Sequence, residues 1–198
     1  MNSQLQSAQA FLKPLQGKWK LELLRLLSIG PARWCDFVHK LPKATPGALT
    51  RQICMLEQTG LIDRRIVIAT PPKVVEYTLS SSGLEFVPLL QTMSEWNRVY
   101  HEKDSTDLQD CQKLLCGRWL IPILCALEQL QRFGSIQESL PDISRSVLVE
   151  QLQYLCELNM ITQMRYNVFP PRVEYNMTEK GRAFLNGVFY ALPKKIAL

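Results

Sequence analysis

Thr45, Gly47, Thr50 and Arg51 fall on one side of a helical wheel, opposite an apolar stripe of Leu49, Ile53 and Leu56. Hydroxyls and a guanidinium near a helix N-terminus are hydrogen-bond donors in a locally positive field. Their chemistry is the recognition of acceptors and anions, not bond making. Further cations flank this group: Arg33 ahead of it, Arg64 and Arg65 beyond it, and Lys73 a little further on. A weaker version of the pattern occurs later, with Ser144, Arg145, Ser146, Val149, Glu150 and Gln153 opposite Leu148, Leu152 and Leu155, and with Arg132, Arg165 and Arg172 around it. Each feature has a plainer reading as well. Thr45 could serve only as a helix cap, and Arg64 and Arg65 could be solvated surface charge. Trp19 and Trp119 read as core anchors, and Met55 and Met93 as packing residues.

Catalytic chemistry has no such support. His39 and His101 lack a partnering Cys or carboxylate constellation, and neither a nucleophile–base pair nor a phosphate loop is present. The six cysteines, at positions 35, 54, 111, 116, 125 and 156, form no CxxC pair and no disulfide-dense spacing. A non-enzyme with no metal and no cofactor is therefore expected. Cys125 and Cys156 read as small buried hydrophobes. Cys54 lies on the outward face of the Leu49 helix and is a candidate oxidation switch, and Cys111 and Cys116 flank a later helix and share that candidacy.

The 198 residues are 46% hydrophobic and 21% charged, which excludes disorder and collagen-like architectures. No run of about 18 uncharged apolar residues occurs, and the first twenty residues contain Gln, Lys and Pro where a secretory segment would be apolar. A cytoplasmic location with no membrane partner is expected. The formal charge of +5 is uneven. Residues 1–100 hold 12 Lys and Arg against 7 Asp and Glu, whereas residues 101–198 hold 11 of each. A basic first half favours an anionic partner such as nucleic acid.

The elements that must position these residues occur twice. LQGKWKLELLRLL from Leu15 returns as LCGRWLIPILCAL from Leu115, Arg33-Trp34 as Arg132-Phe133, Leu41-Pro42 as Leu140-Pro141, and PPKVVEYTLSSSG from Pro71 as PPRVEYNMTEKG from Pro170. The first copy predicts a helix over 18–27 ending at Ile29-Gly30-Pro31. A short helix follows with Trp34, Phe37, Val38 and Leu41 inward, and then a helix capped by Thr45 with Pro46 at its first position and Gly60 past its end. The β-branched runs 66–68 and 74–77 flank a Pro-stiffened tip, ATPPK, and predict a hairpin. A last helix carries Phe86, Leu89, Leu90, Met93 and Trp96. The N-terminal stripe Leu5, Ala8, Phe11, Leu12 and Leu15 needs a partner surface.

Helix, helix, helix, strand, strand, helix is the order of a winged helix-turn-helix. The expected fold class is mainly α with small β-hairpins (α+β): two tandem winged helix-turn-helix domains forming a pseudo-two-fold intramolecular dimer. Domain boundaries are expected at 1–100 for a basic first domain, 101–110 for a polar linker, HEKDSTDLQD, and 111–198 for a neutral second domain. Such a fold reads double-stranded DNA by placing a helix in the major groove. Glu150 stands where Arg51 stood, so the second copy is expected to bind DNA more weakly or to be mainly structural.

Gly17-Lys18-Trp19, Arg33-Trp34, Leu41-Pro42, Gly60-Leu61-Ile62, Pro71 to Tyr77 and Ser80 to Gly83, with their second-copy counterparts, resemble the HxlR-type winged-helix transcriptional regulators. The resemblance implies operator binding, homodimerisation through terminal helices and, in several members, a sensing cysteine near the N-terminus. This chain departs in carrying two copies and in having no Cys before Cys35. Asn159 replaces the helix-ending Gly in the second copy, and Asn can adopt the same left-handed cap. The rival reading is a tandem winged-helix scaffold that binds protein partners without sequence-specific DNA binding.

Overall fold

In the computed structural model, residues 2–68, 73–100, 108–129, 131–169 and 172–193 are described. The expected hairpin tips at 69–72 and 170–171, and residues 101–107 of the expected linker, lie outside them. Two compact units form, Met1–Cys116 with Ala191–Leu198, and Gly117–Tyr190.

The first unit begins with α1 (Asn2–Leu12), whose stripe finds its partner surface. Ala8, Phe11 and Leu12 are buried, and the Phe11 ring stacks on Phe86 at 4.2 Å. After a 3-10 turn come α2 (Lys20–Ile29), a two-residue strand β1 (Ala32–Arg33), α3 (Trp34–Lys40) and α4 (Pro46–Gln58). Then follow β2 (Ile62–Ile68), β3 (Val74–Leu79), a single turn α5 (Ser81–Leu84) and α6 (Val87–Tyr100). The strands form an antiparallel sheet in the order β1-β3-β2. The expected inner face of the second helix is only half inward. Phe37 and Leu41 are buried, but Trp34 and Val38 are 36% and 37% exposed. A seven-residue helix presents one i, i+4 pair to the core and has no length for a wider stripe.

The helix α7 (Gln109–Cys116), which by sequence opens the second copy, belongs to the first unit. Gln112 holds it there. Its Oε1 accepts from the Leu21 amide at 2.8 Å, and its Nε2 donates to the Leu15 carbonyl at 2.8 Å. Nearby, the buried Lys20 ammonium donates to the Pro14 carbonyl at 2.8 Å, and burial lowers its pKa. Glu22, also buried, takes Arg25 at 2.9 Å and the Leu108 amide at 2.5 Å. Gln112, Lys20 and Glu22 thus each have a partner, which is the condition for burying them cheaply.

The second unit contains α8 (Leu120–Leu127), α9 (Phe133–Ser139), α10 (Arg145–Glu157), β4 (Ile161–Tyr166), β5 (Arg172–Met177) and α11 (Glu179–Tyr190). A lone bridge between Arg132 and Glu174 stands where the first unit has β1.

Two local devices recur and explain sequence motifs. The first ends the reading helices. Gly60 has φ +70° and Asn159 φ +55°, the left-handed cap expected for both. Asn159→Ala is expected to cost about 1 kcal/mol, and Asn159→Gly to be neutral or slightly stabilising, as checked by denaturant titration. The second device locks the next helix to that cap. Ser80 Oγ donates to the Gly60 carbonyl at 2.5 Å and accepts from the Gly83 amide at 3.0 Å. Thr178 Oγ1 lies 2.8 Å from the Asn159 carbonyl, to which it can donate, and accepts from the Gly181 amide at 3.2 Å. The Ser/Thr-x-x-Gly motif is therefore a structural clasp.

Candidate nucleic-acid interface

Thr45 begins α4 in extended conformation, and its hydroxyl accepts from the Ala48 amide at 3.3 Å, with Pro46 at the next position. The cap reading of Thr45 thus accounts for its hydroxyl. Leu49, Ile53 and Leu56 are buried, each contributing roughly 1.5–3 kcal/mol over exposure. That burial fixes the rotation of the helix and turns Thr45, Gly47, Thr50, Arg51 and Cys54 outward. Thr50 Oγ1 donates to the Pro46 carbonyl at 2.9 Å, so its hydrogen is committed and its oxygen is left as an acceptor. Nothing lies within 4 Å of where a Cβ on Gly47 would sit. No packing demand accounts for glycine there, and its effect is a bare backbone at the exposed first turn.

The cations separate into two kinds. Arg33 is tied down, because its Nη2 and Nε meet Glu76 Oε1 at 2.8 and 3.0 Å and its amide donates to Asp36 Oδ2 at 2.7 Å. The Glu76 hydrogen bond also raises the Arg33 pKa. Arg51, Arg64, Arg65 and Lys73 are exposed and have no carboxylate partner among the described residues.

Strand register places Arg64 and Arg65 on opposite faces of the sheet. Arg64 is opposite Tyr77, on the face where Tyr77 meets Phe37 at 5.9 Å between ring centroids. Arg65 is opposite Glu76, which in turn is opposite Arg33. Arg64 therefore lies on the helix side of the wing, and Arg65 on the far side beside a carboxylate.

The second unit repeats the scaffold with other side chains. Ser144 caps α10, accepting from the Val147 amide at 3.4 Å, and its Oγ lies 3.2 Å from that of Ser146. Ser144, Arg145, Ser146, Val149, Glu150 and Gln153 face outward. Gln153 is occupied, donating to Glu157 at 3.2 Å. Arg132 lies 3.8 Å from Glu174, repeating the Arg33 device, and Arg172 pairs with the same carboxylate. The Arg172 hydrogen bond holds the Glu174 carboxyl below its usual range. Gln163 is opposite Tyr175 and Met164 opposite Glu174, so these are the counterparts of Arg64 and Arg65. Arg165 sits one position further, opposite Val173, with Nη2 3.4 Å from Gln163 Oε1. The second wing thus has no cation at the positions of Arg64 and Arg65, and carries its own at Arg165 and Arg172.

Glu76 and Glu174 were the residues missed by reading the sequence for cations. The signal was present, since Arg33 and Arg132 recur in step with Glu76-Tyr77 and Glu174-Tyr175.

Of the candidate redox thiols, Cys54 is exposed, whereas Cys111 is fully buried with Sγ 4.0 Å from the Met93 carbonyl. Burial pushes the Cys116 thiol up to about 11 and the Cys125 thiol up to about 12. Since the thiolate is the reactive form, Cys35 and Cys54 are expected to alkylate first under native conditions at neutral pH, with Cys111, Cys116 and Cys125 protected. Peptide mass spectrometry after a timed iodoacetamide pulse checks this order.

A capped helix exposing polar donors, joined to a two-stranded hairpin, defines each unit as a winged helix-turn-helix module. The sequence matches the HxlR-like helix-turn-helix family over residues 14–105 and again over 114–196, and the chain belongs to that family. An HTH-type transcriptional regulator of Methanothermobacter thermautotrophicus is 35% identical over 101 residues, which cover 50% of this chain and 76% of the relative. The regulator YtcD of Bacillus subtilis is 36% identical over 99 residues, covering 48% and 78%. Among solved structures, the redox regulator HypR in its oxidized form is 31% identical, covering 46% of this chain and 93% of its own, at a TM-score of 0.44. Diamide-treated YodB from B. subtilis is 31% identical, covering 44% and 87%, at a TM-score of 0.39. The chain is a transcriptional regulator of the winged-helix type, with two modules in tandem, and not an enzyme. No helix among the described residues is long and apolar enough to cross a membrane.

Proposed function

We propose that the chain binds double-stranded DNA sequence-specifically, with α4 in the major groove and the β2–β3 wing on the adjacent backbone. The observation that carries the reading is the set of exposed cations without carboxylate partners on the first unit, Arg51 on α4 and Arg64 on the helix side of the wing. A guanidinium on the exposed face of a groove helix can take guanine O6 and N7 together, and wing cations meet phosphates. The bare backbone at Gly47 allows close approach.

The second unit takes a subordinate role in this reading. Val149 and Glu150 in place of Thr50 and Arg51 suit a thymine methyl or a cytosine amino group, and no cation matches Arg64 or Arg65. Arg33 and Arg132, each held by a glutamate, act chiefly in bracing the wing. The two copies of one chain do the work of two subunits, on a site with unlike halves, whether or not two chains associate further. Selection of bound fragments from a genomic pool, followed by footprinting and sedimentation of the complex, tests the proposal. An asymmetric footprint that shortens on the second-unit side as salt rises is expected. Two identical, equally protected half-sites, or no selected sequence at all, would defeat it, the latter in favour of the scaffold reading.

A further inference from the structure

The second unit contains a cleft of about 660 Å³ between the start of α10, the start of α9 and the β4–β5 hairpin. That volume lies within the range of small-molecule sites, roughly 300–1,000 Å³. Its walls include Phe133, Val149 and Phe169, and Phe169 is 99% exposed. An aromatic ring so fully presented to water has no packing role within its own unit. Three guanidiniums, Arg132, Arg145 and Arg172, also line the cleft. Glu174 balances one charge, being shared between Arg132 and Arg172. Arg145 has no carboxylate partner among the described residues, and its guanidinium lies 5.5 Å from the centroid of the Phe133 ring, at the junction of the polar and apolar walls.

We propose that this cleft binds a small amphipathic organic anion, a carboxylate on an aromatic body, with the carboxylate at Arg145 and the ring against Phe133, Val149 and Phe169. The excess positive charge calls for an anion, and a planar guanidinium matches a carboxylate. The apolar walls gain nothing from inorganic phosphate, which would leave Val149 and Phe169 wet. A duplex seated on α10 can meet Val149 with a thymine methyl, but it gives no reason for the rings of Phe133 and Phe169 to line the same cleft. Arg145 and Val149 lie on the exposed face of α10, so the ligand and a duplex seated on that helix exclude each other. The site therefore offers an input to the regulator that spares the first unit.

Titration calorimetry of the full chain with 1-naphthoate, without DNA, tests the proposal. Saturable binding of one naphthoate per chain is expected, at least tenfold tighter than that of the neutral 1-naphthalenemethanol and of inorganic phosphate. Arg145→Gln should weaken naphthoate at least tenfold and leave the alcohol unchanged. Val149→Asn should weaken both, and Arg51→Gln, in the first unit, neither. Circular dichroism melting confirms that each variant is folded, and Val149→Asn carries the test alone if Arg145→Gln is not. Absence of saturable binding, equal affinity for acid and alcohol, phosphate binding as tightly as naphthoate, or indifference to both second-unit substitutions overturns the proposal. Because the titration contains no DNA, its failure is separate from any failure of the DNA-binding reading.

Discussion

The Arg51→Glu chain is expected to lose roughly 100-fold in affinity for its selected duplex, on the scale of 1–3 kcal/mol for a lost base contact with like-charge repulsion added. Arg51 is exposed on α4 with no carboxylate partner among the described residues, and the buried stripe Leu49, Ile53 and Leu56 aims its side of the helix outward. The substitution touches no core residue, so the thermal transition should be unchanged. The chain already contains the comparison, because Glu150 occupies the same position of α10. Glu150→Arg should accordingly tighten binding, and fluorescence anisotropy at several salt concentrations measures both. Arg64→Ala should reduce the salt slope by about one unit, with a smaller change for Arg65→Ala, which lies across from Glu76. An Arg51→Glu protein that binds like the parent, with the same slope, removes α4 from the interface.

Gly83→Ala is the substitution with the largest expected effect on stability. A Cβ there would lie 2.0 Å from the Leu61 carbonyl oxygen, a backbone atom that cannot rotate away. The backbone must shift, and with it the Ser80 clasp that joins the end of α4 to α5 through the Gly60 carbonyl. Overpacking of this kind costs about 3 kcal/mol. The same change at Gly181, where the Met160 carbonyl oxygen would be 2.3 Å away, should destabilise the second unit similarly. Denaturant unfolding of each variant, with fluorescence followed by hydrogen exchange to assign the affected unit, checks this. A Gly83→Ala midpoint equal to the parent's would show that the α5 turn does not pack on the Leu61 carbonyl.

Helical elements near the proposed interface were legible in the sequence because their causes are local. Thr45 and Pro46 start α4, Gly60 ends it, and three apolar residues at helical spacing turn it, all within one stretch of chain. The Asn159 cap was legible for the same reason. The second helix was read less well, since Trp34 and Val38 obey the helical spacing but find no core to cover them. The spacing reports which residues share a face and not whether another element reaches that face.

The amino-acid order alone determined the duplication, the succession of helices and strands in each copy, the outward set on each reading helix and the excess of positive charge in the first half. Each of these follows from periodicity, caps or counting. Only the tertiary structure decided which positive charges are available. Glu76 reaches Arg33 across 43 residues of chain, and strand register sends Arg64 and Arg65 to opposite faces. It also gathered Arg132, Arg145 and Arg172 around one apolar cleft. Whether a charge is spent or free depends on what folding places within a few ångströms of it, and composition carries no record of that distance.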